Sequence, residues 1–274
     1  MLRRAYTQCR FGQMHYLEGI PEDASRIVAP TLVLLHQNPS SSFEYRELVA
    51  EMARDRRVIA FDTPGYGMSD APSAPPGMAR YADAFSDAID AMALDGPLDV
   101  YGFHTGTLLA AELAISRADV VGRVAMTGIP MFSPAECAER LAAALAVPEP
   151  DEEGEATMAL LRNLWDYAVR QRDPRMPLDQ AVLAFSDKSR VLHRFTWAYQ
   201  GVWAYDFERL RLVTQPTLLA QTHEDLLEVS KAAAALMPDS CIIELPDLDR
   251  DIFAVGVDQV AATLRTFFTP RTQG

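Results

Sequence analysis

Short, predominantly apolar runs recur along the chain at 31–35 (ending at His36), 57–61 (ending at Asp62), 98–103, 121–127, 216–221 and 241–245. Runs of this kind, with no polar alternation, predict strands buried on both faces, as in a parallel sheet covered on its two sides. Between them, apolar residues return at helical spacing over 43–54, 78–94, 105–117, 227–236 and 257–268. Residues 5–18 predict two weaker strands turning at Gly12. Strand and helix in alternation indicate an α/β protein with a mostly parallel central sheet flanked by helices.

The alternation breaks after about residue 130. From there to 212, helical patterns follow one another with no intervening strand. Ser133-Pro134 opens this stretch as a cap followed by proline at the first helical position. Residues 149–155 hold five acids in seven positions, which predicts a solvated connector. The expected division is a core of 1–130 and 213–274 and an inserted helical cap of 131–212. Such a cap would lie over the edge where the strands end, where ligands of open α/β sheets bind.

Composition then removes whole classes of function. The chain has 274 residues, 49% of them apolar, too many for a disordered chain. No run approaches the 18 or so consecutive apolar residues of a membrane span. A formal net charge of −13 repels phosphate backbones, so nucleic acid is not an expected partner. Cys9, Cys137 and Cys241 are odd in number and far apart, with neither a disulfide framework nor metal spacing. A reducing cytoplasm is the expected setting, since no apolar segment follows the basic residues at the start. The five histidines fall at no metal-ligand spacing, and no Gly-x-Gly-x-x-Gly follows an early strand. Neither metal nor cofactor is expected. The expected partners are a small-molecule substrate and at most a second copy of the chain, with no membrane.

The most specific segment is Val100-Tyr101-Gly102-Phe103-His104-Thr105-Gly106-Thr107, which reads as strand, tight turn and helix. Glycines at 102 and 106 allow a strained turn that thrusts residue 104 outward. Three further segments accompany it. His36-Gln37-Asn38-Pro39-Ser40 follows one strand, Asp62-Thr63-Pro64-Gly65-Tyr66-Gly67-Met68-Ser69 another, and Pro216-Thr217-Leu218-Leu219 leads toward Asp225. Together with the terminal helix at 257–268, these segments resemble the α/β-hydrolase fold superfamily, and within it the capped branch of haloalkane dehalogenases, epoxide hydrolases and C–C hydrolases. The resemblance spans nearly the whole chain apart from the inserted helices.

The departures from that family pattern are chemical. His104 stands at the nucleophile elbow, where the family carries Ser, Asp or Cys. In Leu245-Pro246-Asp247-Leu248-Asp249-Arg250-Asp251, Arg250 falls where the family places its catalytic His, and no histidine lies in 224–274. Asp225 matches the family's acid. Gln37 stands where glycine is usual in the oxyanion loop. The resemblance implies an oxyanion hole from the backbone N–H groups of Gln37 and Thr105.

An imidazole at the elbow is a poor acyl carrier but a good proton acceptor and donor. His104, Asp225 and Arg250 are therefore the expected catalytic set. The leading expectation is cofactor-independent, non-hydrolytic chemistry of the lyase, isomerase or cyclase type on a small carbonyl or aromatic compound. One alternative is a hydrolase in which His104 activates water against an ester, lactone or epoxide. Another is a binding protein on a hydrolase scaffold that has lost its chemistry. Arg250 either anchors an anionic substrate group or forms a salt bridge with Asp225. Substrate contacts are expected from His36, Asn38, His193, Trp197, Tyr199 and Trp203, although His36 also suits a structural role and the aromatic run suits packing. His15 and Asp62 suit structural roles, and His223 an exposed one.

Overall fold

The computed structural model describes residues 1–269. Strands Leu2–Cys9 (β1) and Gly12–Gly19 (β2) pair antiparallel, from Leu2 opposite Gly19 to Cys9 opposite Gly12. The alternation then runs through Leu32–Leu35 (β3), Arg46–Met52 (α1), Val58–Phe61 (β4), Met78–Ala91 (α2), Leu98–Phe103 (β5), Thr105–Ser116 (α3) and Val121–Thr127 (β6). Helices Pro134–Leu145 (α4), Glu155–Trp165 (α5), Leu178–Ser189 (α6) and Trp197–Trp203 (α7) follow with no strand between them. The chain closes with Thr217–Thr222 (β7), Leu227–Ala234 (α8), Ser240–Leu245 (β8), Ile252–Val255 (α9) and Val257–Phe268 (α10).

Among the described residues these strands form one eight-stranded sheet in the order β1-β2-β4-β3-β5-β6-β7-β8. The β1/β2 and β2/β4 pairs are antiparallel, and the remaining pairs are parallel. This is the α/β-hydrolase fold. One face is packed by α2 and α3 through Tyr81, Phe85, Leu108 and Leu109. The other is packed by α1 and α10 through Leu48, Val49, Leu264 and Phe268. Helices on both faces leave no side of β3, β4 or β5 in water, which is why these strands carry no polar alternation.

Two expectations need correction. The run at 241–245 was expected to be buried on both faces, yet β8 is largely exposed, with Ile242 and Ile243 about 40% accessible (42% and 40%). It pairs only with β7, so it is an edge strand and lacks a covering neighbour. The helix expected over 43–54 begins instead as a tighter turn at Ser42–Tyr45. Ser41 Oγ accepts from Phe43 N and Asp62 Oδ1 accepts from Ser42 N, so side chains satisfy the first donors and hold that turn.

Asp62 is the hub beneath this region. It is buried and accepts from Ser42 N (2.7 Å), Met68 N (2.8 Å) and His15 Nδ1 (2.8 Å). Burial alone would push its carboxyl up, but the hydrogen bonds from His15 and Ser42 outweigh burial. They hold it below the usual carboxylate range.

In the helical stretch, Ser133 and Glu136 form a reciprocal cap at the start of α4. Residues 149–155 are mostly exposed, with Glu155 opening α5. After α5 the backbone widens into a π turn over Asp166–Arg170, which presents Tyr167. The stretch is tied to the sheet's loops by Asn38 Nδ2 donating to Phe195 O (3.1 Å), Tyr66 OH donating to Arg194 O (3.1 Å) and Ala198 N donating to Tyr66 OH (2.9 Å). Among the described residues no helix is long and apolar enough to cross a membrane, and no cluster of His, Cys, Asp or Glu could hold a metal ion.

Candidate active site

The residues following β3, β4, β5 and β7 converge where the strands end. At their centre is His104, between β5 and α3, with φ 49° and ψ −112°. A non-glycine residue holds this conformation only where its surroundings over-determine it. A Cβ on Gly102 would strike the Gly106 carbonyl, and one on Gly106 would strike the Leu35 carbonyl. The glycines thus let β3, β5 and α3 approach closely enough to force the turn. His104 N donates to Thr127 O (2.9 Å), which pins the turn to β6.

The imidazole stacks on Phe103 with ring centroids 4.0 Å apart. Its Nε2 lies 2.7 Å from Glu224 Oε2, and Glu224 Oε1 accepts from Thr222 Oγ1 at 3.0 Å. The His104 and Glu224 side chains are 21% and 12% exposed. With Glu224 accepting from Nε2–H, the lone pair falls on Nδ1. Room for the ring comes from Gly128 (φ 74°), where a Cβ would enter both the His104 ring and the Glu224 carboxylate. The partner of His104 is therefore Glu224 and not Asp225, the acid expected from sequence. Asp225 lines the cavity one residue further on.

Two adjoining cavities share His104, Glu224, Gln37, Tyr167, Lys188, Asp249 and Arg250. The larger has a volume of about 690 Å³ and the inner one about 100 Å³. Asn38, Tyr199 and Trp203 line the larger cavity. Tyr199 OH donates to Asn38 O (2.7 Å), and the Tyr199 and Trp203 rings lie parallel, 6.2 Å apart. Asn38 Oδ1 is buried without a hydrogen-bond partner among the described residues. Burial pushes the Tyr199 hydroxyl up, so it stays a protonated donor at neutral pH.

Other expected residues are placed elsewhere. His193 is exposed, and Trp197 lies under the Arg194 guanidinium at 5.9 Å; neither lines either cavity. Their spacing turns them away from the face that carries Tyr199 and Trp203. His36 is buried, with Nδ1–H donating to Gln37 O (2.7 Å) and Nε2 accepting from Thr63 N (2.9 Å), so both nitrogens are used in holding the loop. His15 is bound to Asp62 as described above, and His223 pairs with Glu244 at the surface (2.9 Å).

Arg250 forms no ion pair with Asp225 among the described residues. Its guanidinium instead lies 4.6 Å over the Tyr167 ring and donates at 3.4 Å to Gln171 Oε1 and Tyr167 O. Of the two expected roles, the salt bridge with Asp225 is not formed, and the cation rests instead on an aromatic face at the cavity wall.

The oxyanion hole also differs from expectation. Gln37 N donates to Glu44 Oε1 at 3.0 Å, and Gln37 Nε2 donates to Glu44 Oε2 at 2.9 Å. One carboxylate thus engages both donors of Gln37, and its backbone N–H is not open to substrate. Thr105 is different: it opens α3, where its N–H has no intrahelical acceptor, and the residue lines the larger cavity.

Sequence reasoning missed Glu224, Glu44, Tyr167 and Lys188. Glu224 could have been found from the two adjacent acids after β7. Lys188 could have been found from its spacing behind Ala181, Ala184 and Phe185, which puts a charge on an apolar helix face.

Fold and site together define a chain of α/β-hydrolase fold, with a histidine–glutamate couple at its elbow. Residues 30–146 match the sequence model of the alpha/beta hydrolase fold family. Among characterised proteins, the chain is 27% identical to haloalkane dehalogenase 2 of Mycobacterium bovis over 278 residues, covering 92% of this chain and 90% of that one. It is 28% identical over 127 residues to the cis-3-alkyl-4-alkyloxetan-2-one decarboxylase of Xanthomonas campestris pv. campestris, covering 43% of this chain and 41% of that one. The enol-lactonase from Burkholderia xenovorans LB400 superposes with a TM-score of 0.78 at 19% identity, covering 97% of this chain and all (100%) of that one.

Proposed function

We propose that the protein is an enzyme that hydrolyses a small organic substrate, with His104 taking a proton from water. The observation that carries this reading is the 2.7 Å contact between His104 Nε2 and Glu224 Oε2 at the wall of a cavity of about 690 Å³. Glu224 holds the ring by Nε2–H and leaves Nδ1 as the base. Water gives its proton to Nδ1 as its oxygen attacks the substrate. The imidazolium formed lies against the Glu224 carboxylate, and its proton then passes to the leaving oxygen. Position 104, the residue displayed by the elbow, carries no hydroxyl, carboxylate or thiol, so no covalent intermediate is required. Thr105 N–H supplies one donor for a developing negative charge. Relatives named as a dehalogenase and an enol-lactonase agree with hydrolysis, which ranks it above the non-hydrolytic chemistry expected from sequence. The helices of 131–212 act in this reading as the cap that closes the cavity.

A second reading keeps His104 as a proton-transfer group without attack by water, in a lyase or isomerase. The relative named as an oxetan-2-one decarboxylase favours it.

A panel of lactones, epoxides and esters, turned over once in H₂¹⁸O, tests both readings. Hydrolysis places ¹⁸O in the product on the first turnover. Turnover that depends on His104 without ¹⁸O in the product supports the second reading. Activity lost in His104→Ala is expected either way, and full activity in that variant overturns both. A covalent burst with nitrophenyl esters overturns the direct attack by water.

A further inference from the structure

The helical stretch places an ammonium group at the junction of the two cavities. Lys188 lies in the last turn of α6, on the face that carries buried Ala181. It is only 8% exposed and lines both cavities. Its Nζ makes one hydrogen bond, to Pro39 O at 3.5 Å, the outer limit of such contacts, and it forms no ion pair among the described residues.

The carboxyls that act on Lys188 through space are engaged elsewhere. Asp187 accepts from Ser41 Oγ (2.8 and 2.9 Å), and Asp251 accepts from Asp173 N (2.8 Å). Burial pushes both carboxyls up, toward their neutral forms, although Lys188 works against this. A buried ammonium without a direct ion pair is costly, and a ligand carboxylate that makes that pair relieves the cost. The smaller cavity, about 100 Å³, has room for one small group, and His104 and Lys188 line it together. One ammonium suits a carboxylate, whereas a phosphate would leave most of its oxygens without donors. Arg250 at the shared wall adds a second positive group; Glu224 and Asp249 line both cavities, Asp225 the larger one, and Glu44, Asp187 and Asp251 the smaller one.

We propose that Lys188 receives a carboxylate of the substrate, so that the enzyme acts on small organic acids whose reacting bond lies over His104. This rests on His104 being the proton-transfer group of the same cavity. Lysine also suits the place better than arginine, as a compact point charge on a flexible stem.

Calorimetric titration of the full chain with acetate, butyrate and benzoate, each against its amide, tests the proposal. Carboxylates should bind, and amides should bind at least roughly tenfold more weakly. Lys188→Met should weaken carboxylate binding by roughly 10- to 100-fold, as expected for a lost charged hydrogen bond. Lys188→Arg should stay within a few-fold, and His104→Ala should bind as the unaltered chain does. Lys188→Met should melt no lower than the unaltered chain, since it removes an unpaired buried charge. A clear fall in melting temperature without loss of carboxylate binding would make Lys188 structural and overturn the proposal. Equal binding of amides overturns it without any variant. Reduction by borohydride that joins a keto acid to Lys188 overturns it as well, by making the residue a nucleophile. Carboxylate binding without any turnover that depends on His104 leaves this inference standing and defeats the reading of His104, and turnover dependent on His104 without carboxylate binding does the reverse.

Discussion

Replacing Glu224 with Gln keeps the shape of the side chain and removes its charge. Thr222 Oγ1 can still donate to the amide oxygen, so the side chain should stay in place. What changes is the support of an imidazolium at His104. The 2.7 Å contact joins two largely buried groups, so its charge-assisted part lies above that of a surface pair. We take it as about 2–3 kcal/mol, the upper range for hydrogen bonds to charged groups. At about 1.4 kcal/mol per tenfold, kcat should fall roughly 30- to 150-fold with KM little changed. The assay is steady-state turnover of the best substrate from the lactone, epoxide and ester panel, with ¹⁵N spectra of the histidines beside it. In the unaltered chain the spectra should show the proton of His104 on Nε2, and in Glu224→Gln that preference should weaken. In the double variant Glu224→Gln, His104→Ala, the Glu224 change should cost nothing further. Full turnover in Glu224→Gln, or an equal additional loss in the His104→Ala background, would refute the coupling of the two residues.

Gly128→Ala should keep the fold but lose at least roughly tenfold in turnover. A Cβ there enters the His104 ring and the Glu224 carboxylate, and the left-handed backbone (φ 74°) adds about 1–2 kcal/mol of strain, readable by urea unfolding. Glu44→Ala releases both donors of Gln37. It should destabilise the chain by about 1–3 kcal/mol and speed turnover of lactones, if any are substrates, by giving Thr105 N–H a second donor beside it; unchanged stability would show the clamp to be idle. Asp62 is held below the usual carboxylate range, so its contribution to stability is complete above about pH 4 and is lost as pH falls through its folded value. Asp62→Asn should therefore lose about 2–4 kcal/mol at neutral pH and show a shallower acid decline, and an unaltered acid profile would reject this assignment.

Much of the sheet was legible because its cause is local. The ends of β5 and β6 followed from where apolar runs stop, and the elbow followed from the spacing of Gly102 and Gly106. The exposure of β8 was not legible, since an apolar run reads the same at an edge as at the centre and only the strand order separates the two. At the site, His104 could be read from the sequence because a turn positions it. Its partner could not, because two acids stand side by side after β7 and the choice falls on the one within reach of Thr222 Oγ1. Glu44 and Lys188 depend on how the turn before α1 and the end of α6 approach the elbow from distant parts of the chain. His193 and Trp197 share an aromatic run with Tyr199 and Trp203, and only the orientation of α7 sorts them.

The backbone of the elbow is indifferent to the side chain it displays. Its conformation at residue 104 is imposed by the contact of Gly102 with Gly106, the contact of Gly106 with Leu35, and the bond to Thr127. Any L-residue placed there inherits the same strain and the same outward aim. The position therefore works as a socket, in which reaction type is exchanged by a single residue without rebuilding the scaffold. The imidazole asks for something more, the empty space over Gly128. A smaller group such as serine could occupy the socket with that space left over, so the histidine and the glycine form a matched pair.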